Sequence, residues 1–433
     1  MDAVRNPATT GLVLTGGGAR AAYQVGVLKA IARIRREVGA PRQNPFGVIA
    51  GTSAGAINAA AIACHADRFD HAVAGIVHTW RHFSASQVYR ADAFGVVRSG
   101  ARWLTMLTMG WAIARWRREK PRSLLDNSPL AELLQRVVHF DRLPEMLARG
   151  HLQALAITGS SYSSGDHVTF CQTRPTRRPF EPWLRSQRVA VQSRIGHAHL
   201  MASSAIPFVF PAVKLEMQGQ DEWFGDGSMR QSAPISPAIH LGAERILVVG
   251  AGRMHEPPRQ RNGADVGDAE YPSLARIAGH TLSNIFLDAL AVDVERAQRI
   301  NRTLSLLDPT TLARSSLKPL DLLVIAPSQR LDEIAARHLH SLPPAVRTLL
   351  RGVGVESDRG HAKGGAALAS YLLFEAPYTR ELIELGAADT LVRRDEVIAF
   401  FGWPTKTVPR EAREAWSTTQ AGELECPTDL MPL

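Results

Sequence analysis

Residues 46–64 read FGVIAGTSAGAINAAAIAC, and the turn at their centre decides the fold. FGVIA (46–50) is a short apolar run, and AGAINAAAIACHA (54–66) follows with a helical pattern, so the spacing predicts a buried strand, a tight turn and a helix. The turn, GTSAG (51–55), has the form G-x-S-x-G. In a nucleophile elbow a sharp turn lifts the serine hydroxyl above the sheet, and small neighbours, here Gly51 and Gly55, leave it uncovered. The helix starting at Ala54 sets its positive end near that oxygen. The same five residues arise by chance, and serine is a common helix N-cap. Two readings of Ser53 therefore stand at this point, nucleophile and turn residue.

Upstream, GLVLT (11–15) reads as another buried strand. Residues 20–38 follow with apolar residues at Val25, Leu28, Ile31, Ala32 and Ile34, the spacing of one helix face. Two strand–turn–helix units in the first 66 residues predict a parallel sheet covered by helices. The first turn, LVLTGGGARAAY, carries Gly16, Gly17, Gly18, Ala19 and Arg20. Glycines admit close backbone approach, and a helix N-terminus presents free N–H groups to an anion. Gly16, Gly18 and Ala21 fit the dinucleotide pattern G-x-G-x-x-A, but the second strand ends at Ala50-Gly51-Thr52 without the carboxylate that would hold a ribose. A P-loop would need GKS/T, which is missing. The third reading is an oxyanion hole, the same N–H cluster aimed at a developing alkoxide.

A nucleophilic serine needs a base. An α/β-hydrolase supplies an acid and then a histidine, yet it builds several strands before its elbow, and only one precedes Ser53 here. EWFGDGSM (222–229) offers another candidate. Asp226 sits between Gly225 and Gly227 after an aromatic strand, and a carboxylate held there is able to accept a serine proton directly. The plain alternative is a turn, which Asp and Gly commonly form.

Other segments bound the answer. Residues 152–158 and 167–171 read as strands joined across SSYSSG, and 244–250 and 321–327 as further strands. Residues 255–272 read as a polar loop, 277–304 as one long helix, and roughly 330–400 as mainly helical. The 433 residues are 45% apolar and 21% charged, which places the chain in the globular class. A net charge of +9 favours anionic partners, but the basic residues are scattered and no nucleic-acid signature is present. Three cysteines, Cys64, Cys171 and Cys426, lie far apart without CxxC, against a disulfide framework or structural zinc. No signal-peptide core is visible at the N-terminus, so a cytoplasmic location is expected. RWLTMLTMGWAIARW (102–116) is too short to span a bilayer. Its Trp residues and flanking Arg suit a peripheral membrane contact, and a lid or core helix is the competing reading. His197 and His199, like His338 and His340, are two apart, unlike the four-residue spacing of helical zinc ligands, so no metal is expected.

GGGAR (16–20), GTSAG (51–55) and DGS (226–228), with MASSAIPFVFPAV (201–213), occur in the order and rough spacing of the patatin-like phospholipases. The chain resembles that family over about residues 11–250. The resemblance implies a three-layer α/β/α sandwich with a mostly parallel sheet, and acyl-ester hydrolysis of lipids by a Ser–Asp dyad without a cofactor. Ser53 then matches the nucleophile, Asp226 the base, and Gly16–Arg20 the oxyanion loop, with Gly51, Gly55 and Gly227 flanking. Arg20 is expected to add positive charge there or to bind a lipid phosphate. Ala21 and Ser228 depart from the family pattern, which often has Gly, and Gly or Ala, at those places. Residues 368–401 resemble a C-terminal extension of a bacterial branch of the family. The expected division is therefore an acyl hydrolase domain over 1–305 and a mainly helical extension over 306–433. A histidine-dependent α/β-hydrolase esterase, a nucleotide-binding oxidoreductase and a non-catalytic lipid- or membrane-binding protein are the competing functions.

Overall fold

Strand β1 (Thr10–Leu14) is apolar after its first residue, and all five of its residues are buried. Successive strand side chains point to opposite faces, so such a run needs cover on both. Leu12 and Leu14 pack into one hydrophobic layer, while Val13 packs into the other. The same alternation divides β2 (Val48–Thr52), where Ile49 joins the first layer and Val48 and Ala50 the second. The computed structural model describes residues 8–90, 123–176, 180–254, 273–284, 289–352, 355 and 365–404.

Eight more strands follow among the described residues: β3 (Ala154–Ser161), β4 (His167–Thr173), β5 (Leu184–Arg185), β6 (Arg188–Gln192), β7 (Val213–Met217), β8 (Gln220–Asp226), β9 (Arg245–Val249) and β10 (Asp321–Ile325). They form one sheet in the order β10-β9-β1-β2-β3-β4-β6-β5, with β8 pairing to β3 and to β7. The run β10-β9-β1-β2-β3 is parallel, and β4 and β8 join β3 antiparallel. Strand order reverses at β1, which has β2 on one side and β9 on the other. A crevice opens at the carboxyl ends of strands at such a switch point. The triple-glycine turn leaves β1 there.

The larger layer holds α1 (Ala22–Glu37), α2 (Ala54–Cys64) and α3 (Phe69–Arg81). It also receives α4 (Ser128–Val137), α5 (Leu143–Ala148) and α6 (His197–Ser203). The opposite layer takes Ala238 of α7 (Ser236–His240). Residues 277–304, expected as one helix, comprise most of α8 (Leu274–Ser283) and all of α9 (Ala289–Leu304); residues 285–288 lie outside the described set. Leu290 and Val294 of α9 pack into the same opposite layer. The architecture is the three-layer α/β/α sandwich that the sequence implied.

The C-terminal region is helical: α10 (Pro309–Arg314), α11 (Leu331–His338), α12 (Pro344–Gly352), α13 (Ala366–Leu372), α14 (Ala376–Val392) and α15 (Arg394–Phe401). It does not form a body with a core of its own. Its strand β10 extends the sheet from β9, and α14 lies along α1 with the two backbones touching. A Cβ on Gly26 would stand 2.0 Å from the Ile383 carbonyl oxygen, and one on Gly386 would stand 2.2 Å from that of Tyr23. Leu382, Ile383, Val397 and Phe400 belong to the same buried cluster as Leu28 and Ile31. The division expected at residue 305 thus marks no break between cores.

Cys64 and Cys171 are buried free thiols, and Cys426 lies outside the described residues. So do residues 102–116 and the loop expected over 255–272. No helix among the described residues is long and apolar enough to cross a membrane.

Candidate active site

Strand register alone brings Ser53 and Asp226 together. Thr52, the last residue of β2, pairs with Thr158 of β3, and the next residue of β3, Gly159, pairs with Asp226 at the end of β8. One step past Thr52 therefore faces the end of β8. The Ser53 hydroxyl donates to Asp226 Oδ2 at 2.6 Å. A polar brace lies beneath them, where Gln231 Nε2 donates to Thr52 Oγ1 at 2.7 Å and Thr52 Oγ1 bonds Thr158 Oγ1 at 2.7 Å.

The turn at Ser53 has the backbone of an elbow. Ser53 sits at φ 54, ψ −130, a region that costs a non-glycine residue about 1–3 kcal/mol and persists only where the surroundings enforce it. Ser203 is one enforcing group, its Oγ accepting the Ser53 N–H at 2.9 Å. Ser53 occupies the N-cap position of α2, yet its side chain makes no capping bond. The reading of Ser53 as only a helix cap is thereby set aside, because its hydroxyl is directed to Asp226. Gly55 packs α2 against the end of β1, where an added Cβ would lie 2.4 Å from the Leu14 carbonyl oxygen. Gly51, next to last in β2, lies against the start of α2, where an added Cβ would stand 2.6 Å from the Gly55 carbonyl oxygen, and Gly227 follows Asp226 directly against the Thr158 carbonyl.

Asp226 is fully buried. Its Oδ1 accepts the Ser228 N–H at 2.8 Å, and its own N–H donates to the Ala205 carbonyl at 2.9 Å. The departure at Ser228 thus leaves the backbone bond in place. Burial pushes the Asp226 carboxyl up to about 6, against the opposing pull of the hydrogen bonds from Ser53 and Ser228. Burial makes this carboxylate a stronger base than one in solution, and its two hydrogen-bond donors moderate the gain. No imidazole stands between it and Ser53. His197 bonds the Val138 carbonyl, His199 bonds Ser193 and the Gly196 N–H, His240 stacks on Trp183, and His338 bonds Glu381.

The glycine loop lies beside this pair. Gly16 and Gly17 lead from β1 into a short 3-10 turn over Gly18–Ala21, from which α1 starts. Among the described residues the N–H groups of Gly16 and Gly17 have no backbone acceptor. Ala19 is wholly buried. The loop and elbow share a buried network that the sequence reading missed. Gln24 Nε2 donates to the Thr15 carbonyl at 2.7 Å, Asn58 Nδ2 to Gln24 Oε1 at 3.2 Å, and Trp80 Nε1 to Asn58 Oδ1 at 2.8 Å. Lone polar residues in apolar helices were its only trace in the sequence. Ser203 was also missed, although it lies in the MASSAIP stretch that carried the family resemblance.

Arg20 does not face the crevice as expected. It is 4% exposed, and its Nε donates to Ser370 Oγ at 2.8 Å. The guanidinium lies 4.1 Å over the Tyr371 ring. A group so enclosed is turned toward the C-terminal helices, not toward a lipid phosphate.

The patatin-like phospholipase profile matches residues 12–239, more than half of the chain, and the chain belongs to that family. Membership makes it a lipid acyl hydrolase with a lipid ester as substrate. No curated protein matches the sequence. Among solved structures it is similar to VipD from Legionella pneumophila, at 12% identity over 87% of this chain and 67% of that one, with a TM-score of 0.29. It is also similar to the type III effector protein ExoU, at 14% identity over 97% of this chain and 93% of that one, with a TM-score of 0.25.

Proposed function

We propose that the chain cleaves carboxylic esters of lipids, phospholipid or lysophospholipid among them, through a Ser53–Asp226 dyad. The observation that carries this reading is the 2.6 Å bond from the Ser53 hydroxyl to Asp226, made from a strained strand-to-helix turn. Ser53 Oγ attacks the ester carbonyl and its proton passes to Asp226. The carbonyl oxygen becomes an alkoxide, which the free N–H groups of the Gly16–Gly18 loop receive, each worth about 3 kcal/mol by analogy with other oxyanion donors. The tetrahedral centre collapses, the C–O bond to the alcohol breaks, and the alcohol leaves with the proton from Asp226. Water then attacks the acyl-Ser53 ester, giving its proton to Asp226. Fatty acid departs and Ser53 recovers its hydrogen. The positive end of α2 favours negative charge at the same place.

The test is hydrolysis of a p-nitrophenyl ester and of a phospholipid by the wild type and by Ser53→Ala, with folding checked by circular dichroism. A folded Ser53→Ala variant is expected to be inactive on both substrates. Full activity in that variant would return Ser53 to a turn residue and end the reading.

A further inference from the structure

We propose that helix α13, outside the stretch that carries the family match, is a working part of the site, with Ser370 and Tyr371 holding Arg20 and so fixing the glycine loop in its oxyanion-binding form. The inference rests on the dyad reading above and extends it to residues to which that reading gives no role.

The loop cannot hold itself. Three successive glycines have no side chains to pack and the widest backbone freedom of any residue. Within the loop the backbone supplies an Arg20 N–H to Gly17 carbonyl bond at 3.1 Å, and at its start a Thr15 N–H to Val249 carbonyl bond at 3.4 Å. Anchors from outside do the rest, among them Asn58, whose Nδ2 donates to the Ala21 carbonyl at 3.3 Å. Upstream stands Gln24, bonded to the Thr15 carbonyl. Downstream stands α13.

The α13 contact is made by backbone and side chain together. Gly18 lies at φ +55, and a Cβ there would stand 2.3 Å from the Tyr371 carbonyl oxygen, so the helix rests directly on the loop backbone. Two residues on, the Arg20 side chain closes the bracket. Ser370 Oγ gives its single proton to the Ala367 carbonyl at 2.6 Å, which turns its lone pairs toward Arg20 Nε. The Tyr371 ring lies under the guanidinium, where a desolvated cation gains from the ring's negative face. Ser370 and Tyr371 are fully buried, so water does not compete at these contacts. The helix is itself tied down, for the fully buried Tyr89 donates its hydroxyl to the Leu372 carbonyl at 2.9 Å. Arg20 thus connects a rigid helix to a loop whose function depends on where its N–H groups point. Ser370 and Tyr371 are positioning residues that act through it.

A double-mutant cycle of Ser370→Ala and Arg20→Met in the full chain tests this, read as kcat and KM on a soluble ester. Displacing an oxyanion donor without removing it is expected to lower kcat by about 10- to 100-fold while KM stays within about twofold. If Ser370 acts through Arg20, Ser370→Ala then adds no further loss in the Arg20→Met background. Wild-type kcat in a folded Ser370→Ala variant overturns the proposal, and so do losses that multiply in the double variant. Should Ser370→Ala fail to fold, Ser370→Cys keeps the volume with a weaker acceptor. A partial loss of kcat is expected there, and full kcat is the overturning result. Ser53→Ala separates the two levels. If it is inactive while Ser370→Ala is unaffected, only this inference fails; if it retains turnover, the dyad reading and this inference fall together.

Discussion

Replacing Asp226 with Asn is expected to make the protein more stable and nearly inactive, with a pH dependence that follows from burial. The carboxyl lies at about 6 in the fold against 3.8 for its ordinary value, mainly because burial disfavours the charge. At about 1.36 kcal/mol for each factor of ten in acidity, that difference makes the ionised form cost the fold roughly 3 kcal/mol. The protonated form is the one the fold prefers, so this cost is absent below pH 3.8, grows as pH rises, and is complete above about 6. Asn never carries it. The amide keeps its oxygen on the Ser228 N–H and turns its NH2 to Ser53 Oγ, which then accepts where it had donated. One amide proton is left without a partner, at about 1–2 kcal/mol. The net gain at pH 8 is about 1–2 kcal/mol. For a chain of 433 residues that is a rise in melting midpoint of roughly 1–2 °C. Differential scanning fluorimetry of both proteins from pH 4 to 8 reads it as a difference that opens between pH 4 and 6. Loss of the base is expected to lower kcat by about 10²- to 10⁴-fold. A variant less stable than wild type at pH 8, or a difference flat with pH, would refute the reasoning.

Two further outcomes follow from the same geometry. The kcat/KM of the wild type on an uncharged ester is expected to rise with pH along a limb centred near 6, as Asp226 ionises; a limb centred near 4 would mean that the carboxylate is solvated during turnover. Asn58→Leu keeps the side-chain volume but strands the buried Trp80 N–H and the Gln24 carbonyl oxygen, so unfolding free energy is expected to fall by about 3 kcal/mol in urea titrations, and a loss under about 1 kcal/mol would mean that water or rotation re-satisfies both groups.

Much of the fold was legible because the strands at the middle of its sheet are buried on both faces, and these strands and the edge strand β10 read as short apolar runs. GLVLT, FGVIA, ERILVVG and DLLVIAP lie within two residues of strands β1, β2, β9 and β10. DLLVIAP also held a warning that the expected division at 305 overlooked. A run of five apolar residues reads as a strand of a covered sheet rather than as part of a helical appendage, and β10 is found at the edge of the main sheet, paired to β9 with Leu323 and Ile325 buried. The close contact of α1 with α14 was invisible for a different reason. It depends on Gly26 and Gly386, and a glycine in a helical pattern does not announce which helix will press against it.

At the site, legibility followed sequence distance. Ser53, Asp226 and the triple glycine stand out because each sits in a short pattern whose chemistry is local: a turn, a flanking glycine, a strand end. Their mutual placement needed only strand register. Arg20 shows where that kind of reasoning stops. Its neighbours in sequence point it at an anion, since a cation beside a glycine loop at the start of a helix has that meaning nearly everywhere. Its partner Ser370 is 350 residues away, in a segment whose resemblance to a C-terminal extension carries no role for a side chain. A charge that is 4% exposed must be satisfied by whatever encloses it, and here a hydroxyl and an aromatic ring enclose it and the Asp332 carboxylate attracts it through space, all from the far end of the chain. The local pattern therefore marked the right residue and the wrong direction. The same enclosure makes the C-terminal helices part of what keeps the loop in place, so a reading that ends where the family profile ends leaves out one wall of the site.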